Sequence, residues 1–187
     1  MSNLAVLPGT PAPAPAAWEQ YRARLATYAK VNYDYQDQRV YTPATGGRLD
    51  DYATDLPAEA PGPPASAGSF AAAQDVLRRY AFPLPNLITG YFDPQQPIIV
   101  LWARFLVFNF CFGVQVVDVI NEAVRPEPDG PTGSEPERVW GYGYHTLGRY
   151  FEKGQINFSI YKNLTTGAAQ FYIHAVSQKR YIRNPFY

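Results

Sequence analysis

Apolar and polar positions along the chain change period twice, and those changes divide it into elements. In "AWEQYRARLATYAK" (17–30), Trp18, Tyr21, Leu25 and Tyr28 recur at spacings of three and four with charges between them, which predicts an amphipathic helix. Residues 31–47 read as extended chain and turn, with Tyr33, Tyr35 and Tyr41 as edge-strand or pocket residues. "TDLPAEAPGPPASAG" (54–68) is too rich in proline for either regular element and predicts a loop. "SFAAAQDVLRRYAF" (69–82) predicts a second helix, with Ser69 as its cap, Val76, Leu77 and Tyr80 as its apolar side and Pro83 as its stop. "PLPNLITGYFDPQQP" (83–97) reads as a connection with turns at Gly90 and Asp93-Pro94.

From Ile98 to Val119 the chain is almost wholly apolar, long enough for a membrane helix to be weighed. Arg104, Asn109, Gln115 and Asp118 interrupt it, and Val, Ile and Phe dominate, so two successive strands bending near Gly113 fit better. A loop at 125–137 follows, then strands at 138–146, 154–162 and 168–176, with "NLTTGA" as the hairpin turn between the last two. Helices followed by a run of antiparallel strands give an α+β domain with a curved sheet of about five to seven strands packed on two or three helices. The expected organisation is a disordered Pro/Ala-rich arm over 1–16 and a single ligand-binding domain over 17–187.

Charge and cysteine content narrow the partners. Sixteen basic and sixteen acidic side chains leave no excess to neutralise phosphates, so nucleic acid is not an expected partner. A single cysteine, Cys111, excludes an internal disulfide, and two histidines 29 positions apart give no metal-ligand spacing; no metal or other cofactor is expected. The N-terminus has neither a basic region nor an unbroken apolar one, so a cytoplasmic protein without a membrane span is expected. Tyrosine is abundant: 15 residues in an aromatic content of 16%. Rings with hydroxyls suit either a cavity wall or a tyrosine-rich sheet.

"WGYGYHTLGRYFEKGQ" (140–155) concentrates the candidate chemistry. On a strand, Tyr142 and Tyr144 share one face while Gly143 and His145 share the other. His145 would serve as general base or be a hydrogen-bonded structural histidine; Glu152 would orient an imidazole, donate a proton or pair with Arg149 or Lys153. His174 shares a face with Tyr172 and is read as a buried histidine satisfied by a hydroxyl or as a ligand contact. Arg104, inside an apolar run, would pair with Asp118 or Glu152, or meet an anionic ligand. The candidate catalytic set is therefore His145, Glu152 and Tyr144, and the candidate ligand-binding set Arg104, Tyr142, Trp140, Asn109, Tyr150 and His174.

Three blocks, "ARFLVFNFCFGVQVVDVINE", "YGYHTLGRYFEKGQ" and "IHAVSQKRYIRNP", resemble the domain of unknown function 1990 family over the C-terminal half, with a weaker resemblance in the helix at 69–82. Tyr144, Thr146, Leu147, Glu152 and Gly154 match the family's central pattern. His145 stands where the family has Gly or Arg, Tyr150 where it has His, Gln155 where it often has Glu, and Gln178 where it has Arg. The family's imidazole is thus absent from its usual place, and no role passes from it to His145. The family's strand-rich pattern is similar to helix-grip proteins of the START and birch-pollen-allergen type, which implies a hydrophobic cavity between sheet and helix. Relatives run on past "RNP" into a basic, aromatic helix, so here that helix is expected to be missing or replaced by the N-terminal one. The expected function is binding of a hydrophobic small molecule in an aromatic-lined cavity with cofactor-free proton transfer (cyclisation, isomerisation or dehydration) on a natural-product-like intermediate; a carrier protein and a protein-interaction module are the alternatives.

Overall fold

The computed structural model describes residues 18–20, 22–23, 41–83, 88–91, 98–105, 108–125, 136–147 and 152–179. Among the described residues seven antiparallel strands form one sheet: β1 (Gly47–Leu56), β2 (Ile88–Tyr91), β3 (Ile98–Phe105), β4 (Phe108–Arg125), β5 (Glu137–Thr146), β6 (Glu152–Asn163) and β7 (Ala169–Lys179). Their order is β1-β7-β6-β5-β4-β3-β2, a meander from β2 to β7 with β1 returned to the far edge. A helix, α1 (Ser69–Arg78), lies in the β1–β2 connection and packs on β6 and β7. This is the expected α+β architecture, and its curled sheet fits a helix-grip-like arrangement. The expected N-terminal helix is seen at residues 18–20 and 22–23; its remainder, the arm at 1–16, Tyr33 and Tyr35 lie outside the described residues. Among the described residues no helix is long and apolar enough to cross a membrane.

The curl has a local cause. Between Val117 and Ile120, Asp118 and Val119 of β4 face Tyr142 alone on β5; between Ile120 and Ala123, Asn121 and Glu122 face Trp140 alone. Two residues against one define a β-bulge, and each bulge bends the longer strand and increases its twist. Asp118 takes φ +50°, unusual for a residue with a side chain.

Alternation sorts the side chains between two faces. Trp140, Tyr142 and Tyr144 of β5, Ile156, Phe158 and Ile160 of β6, and Phe171 and Ile173 of β7 form the core with Phe70 and Leu77 of α1. The rings there touch: Tyr142 to Phe158 at 5.5 Å, Tyr144 to Phe158 at 5.8 Å and Phe82 to Phe158 at 4.8 Å between centroids. The opposite face of β5, β6 and β7 carries His145, Gln155, Asn157, Ser159, Tyr161, Tyr172 and His174. Strand β3 is buried on both sides, since Ile98 to Trp102 are all 7% exposed or less, and so reads as a continuous apolar run.

Helix α1 is set in place by one carboxylate. Glu59, in the β1–α1 connection, accepts from the Phe70 amide at 2.8 Å and the Ala65 amide at 2.9 Å. Its Oε2 also accepts from Lys162 Nζ at 2.9 Å, and that ammonium further donates to the Ala60 and Pro63 carbonyls, each at 3.1 Å. Both side chains are buried, Lys162 at 1% and Glu59 at 6% exposed. Burial alone would push the Glu59 carboxyl up, but the Ala65 amide, Lys162 and the Phe70 amide outweigh it and hold the group at about 2. The β6–β7 turn completes the clasp: Glu59 donates its amide to the Gly167 carbonyl at 2.9 Å. Gly167 has φ +77°, and a Cβ there would lie 1.9 Å from the Glu59 carbonyl oxygen, so only glycine fits.

The structure departs from the sequence reading at five places. Strand β1 starts at the end of the stretch read as extended chain and turn, takes in residues 48–53, which were assigned no element, and ends within the 54–68 loop; as an edge strand largely exposed on both faces, "RLDDYATDL" shows no apolar alternation. Strand β2 lies in the stretch read as a connection. Strand β3 ends at Phe105 and β4 begins at Phe108, and Gly113, where the bend was expected, sits inside β4 opposite Val100. Helix α1 ends at Arg78, where Tyr80 turns to φ +52° and the Tyr80 and Ala81 amides donate to the Leu77 and Val76 carbonyls. Gly68, not Ser69, is its N-cap, because the Glu59 carboxylate does the capping from a distance in sequence.

Lys162→Met leaves Glu59 buried without its cation, and urea unfolding should show a loss of about 3–5 kcal/mol. Because the Glu59 carboxyl is lower in the folded chain than its ordinary 4.5, its contribution is complete above that value and disappears as pH falls toward about 2. Acid titration of stability should therefore be shallower in Glu59→Gln than in the native chain.

Candidate functional site

The polar face of β5–β7 carries a hollow of about 250 Å³, lined by Asp118, Gly143, Asn157, Tyr161, Tyr172 and His174 among others. Its floor follows from "GYGY". The tyrosines of that quartet enter the core, while Gly141 and Gly143 leave the other face without side chains. A Cβ on Gly143 would lie 2.0 Å from Asn157 Oδ1, so glycine lets the Asn157 amide lie over β5. The first β4 bulge supplies one wall. It brings Asp118 Oδ2 within 3.2 Å of Gln155 Nε2 and leaves the carboxylate on the rim.

A hydrogen-bonded chain runs from that wall into the sheet. Gln155 Nε2 donates to Asp118 Oδ2 and, at 2.9 Å, to Asn157 Oδ1. Two oxygen acceptors fix this end of the amide as NH2, so Gln155 Oε1 faces His145 Nε2, 2.9 Å away, and accepts its proton. His145 is therefore an Nε2–H imidazole, buried at 4% exposure and engaged with a neutral amide.

The second histidine is differently placed. Register puts His174 between Asp51 on β1 and Asn157 on β6. His174 Nδ1 lies 2.7 Å from Asp51 Oδ1, and the Tyr172 hydroxyl donates to the same oxygen. The Tyr172 bond first, then the His174 bond, lower the Asp51 carboxyl, and the bond to Asp51 raises the Tyr172 phenol. A carboxylate that accepts from Nδ1 holds neutral His174 as the Nδ1–H form with its lone pair on Nε2, the arrangement of an oriented general base. The side chain is 30% exposed.

The remaining sequence candidates scatter. Tyr144 is in the core, 3.2 Å from the Tyr80 hydroxyl, and burial followed by Tyr80 raises its phenol well above the ordinary value. Tyr142, likewise raised by burial, donates to the Leu77 carbonyl at 3.4 Å, and Trp140 lies 5.2 Å under the Arg78 guanidinium. These three rings are on the face opposite both histidines. Glu152 begins β6 opposite Lys179, on the side of Ile156 and Phe158. Arg104 is exposed on β3, so its charge is solvated. The side chain of Asn109 and all of Tyr150 lie outside the described residues. The enclosed apolar cavity expected between sheet and helix is not outlined by described residues. No group of three metal-ligating side chains occurs among them.

Asp51, Asn157 and Tyr161 were not singled out from the sequence, and Tyr172 entered only as a neighbour of His174 on its face; both side chains bond to the Asp51 carboxylate. A signal existed in β6: "QINFSIY" alternates Gln155, Asn157, Ser159 and Tyr161 with Ile156, Phe158 and Ile160, a strand with one apolar and one hydrogen-bonding face.

No curated protein and no solved structure matches the chain. A family model does, over residues 15–187, and so reaches the N-terminal third in which the sequence reading saw no resemblance. The chain belongs to the family described as Domain of unknown function (DUF1990).

Proposed function

We propose that this protein binds a small ring-bearing molecule in the hollow over Gly143 and carries out cofactor-free proton transfer on it. The observation that carries the reading is the convergence, on one glycine-floored hollow, of a carboxylate-held imidazole (His174 with Asp51), a second carboxylate (Asp118) and the Asn157 amide. Convergent polar groups in a concavity are the usual signature of a small-molecule site.

The roles follow from the bonds. His174 Nε2 takes a proton from the ligand, and Asp51 stabilises the imidazolium that results. Asn157 gives its Oδ1 to Gln155 and keeps its amide protons for a ligand oxygen. The Tyr161 and Tyr172 rings, which meet edge-on at 6.4 Å, offer a surface for a ligand ring. His145 positions this wall through Gln155 and does not itself exchange protons with the ligand. At about 250 Å³ the hollow is below the usual range for drug-sized ligands, so the bound portion is of fragment size.

Ligand-observed NMR against a library of neutral aromatic fragments should yield hits for the native chain. Gly143→Ala, whose methyl meets Asn157, should abolish them while leaving the thermal midpoint within a few degrees. Hits unaffected by Gly143→Ala would place the ligand elsewhere and sink the reading.

Turnover is expected to drop by roughly 10²–10⁴-fold in His174→Gln. In His145→Gln it should fall by much less, as a pH–rate profile on the substrate would record. Equal losses in both variants would contradict the assignment of the base to His174.

A further inference from the structure

A second cavity, of about 440 Å³, adjoins the first on the same face and is lined by Asp55, Glu137, Tyr161, Asn163, Gln170 and Tyr172 among others. The two share Tyr161 and Tyr172, so the edge-on ring pair is a common wall between them. The register explains the placement. Asp55 lies opposite Gln170, Gln170 opposite Tyr161, and Tyr161 opposite Val139, two positions along β5 from Glu137.

The chemistry of this lining is distinct from that of the hollow over Gly143. Its described lining contains two carboxylates, two side-chain amides and two phenol rings, and no lysine or arginine; in the register Arg125 of β4 stands opposite Glu137, so Asp55 is the carboxylate considered for a ligand. Gln170 Nε2 donates to Asp55 Oδ1 at 3.2 Å, an amide bond that orients the carboxylate without neutralising its charge. Asn163 Oδ1 is taken by the Thr165 and Thr166 amides, each at 2.8 Å, which fixes the rim of the cavity at the β6–β7 turn. Lys162, next to Asn163, points to the other face and is bound to Glu59, so it does not neutralise Asp55. The Asp55 carboxylate beside the Tyr161 and Tyr172 phenol faces forms an environment that attracts a cation, through charge and through the ring quadrupole.

We infer that this second cavity is a subsite for a protonated aliphatic amine, held between the Asp55 carboxylate and the Tyr161 and Tyr172 rings. Building on the proposed function, the ligand of the whole groove is a molecule with a ring or carbonyl head over Gly143 and a cationic amine arm lying past the tyrosine wall. A neutral head alone fills the first hollow; the arm adds affinity and sets which molecules enter.

The test uses the 187-residue chain, isotopically labelled, titrated with 1,6-diaminohexane and, separately, with 1,6-hexanediol. The diamine should shift the backbone amides of Asp55, Gln170 and Asn163, and the diol at equal concentration should not. Asp55→Asn should weaken the diamine by about fivefold, the scale of a partly exposed ion pair. Raised salt should weaken it further. Tyr161→Leu, which keeps the volume apolar but removes the ring, should weaken it as well. Equal shifts from diol and diamine would overturn the inference. So would diamine shifts spread over distant acidic residues such as Asp75 with no effect of Asp55→Asn. Failure of the neutral fragments at Gly143 with the diamine still bound would reject the proposed function and leave the amine subsite standing.

Discussion

The buried ion pair between Glu59 and Lys162 is the constraint on which the arrangement rests. A lysine that is 1% exposed is costly in the interior of a sheet unless its charge and all its protons are matched. Here one carboxylate and two carbonyls match them. The same carboxylate caps α1, and the same connection is tied to the β6–β7 turn through Gly167. Strand, helix and turn are thereby fixed to one another by a single polar node. The helix can then cover the aromatic face of β5–β7 without contributing any group to the opposite one.

That division of labour between faces is what makes a site possible. Rings fill the face under α1, where Phe70, Tyr142 and Phe158 are each 1% exposed. The other face of the same strands carries hydrogen-bonding groups in register, and the absence of side chains at Gly141 and Gly143 opens the hollow among them. The β4 bulge at Asp118 adds a carboxylate that a regular strand would have aimed differently. A non-glycine residue held at positive φ beside a hollow is the kind of local strain that functional sites retain.

Much of the sheet was legible from alternation alone. Strands β5, β6 and β7 have one apolar and one polar side, and "NLTTGA" carries the turn chemistry between the last two. Strand β1 was not legible, because an edge strand with both faces in solvent has no buried side to impose a period. Its loss from the sequence reading hid Asp51, and with it the carboxylate that orients His174. The opposite-face rule correctly separated Tyr144 from His145, yet the candidate set drew on both faces at once. Asp118 was visible as a polar interruption in an apolar run and as a partner for Arg104, but not as a wall of the hollow, since a bulge leaves no mark in the period before or after it. The capping role of Glu59 was invisible for a related reason: its partners in the helix, Ser69 and Phe70, are ten and eleven positions away, beyond the reach of local capping patterns.

The most direct test of the central claim, that the polar face and not the ring-filled face is the ligand side, is a crystal structure of the protein soaked with neutral aromatic fragments. The account predicts density over Gly143, in contact with the Asn157 amide and His174 Nε2 and against the Tyr161–Tyr172 wall. Fragments lodged between α1 and the Tyr142–Phe158 rings, with the hollow over Gly143 holding only solvent, would contradict it.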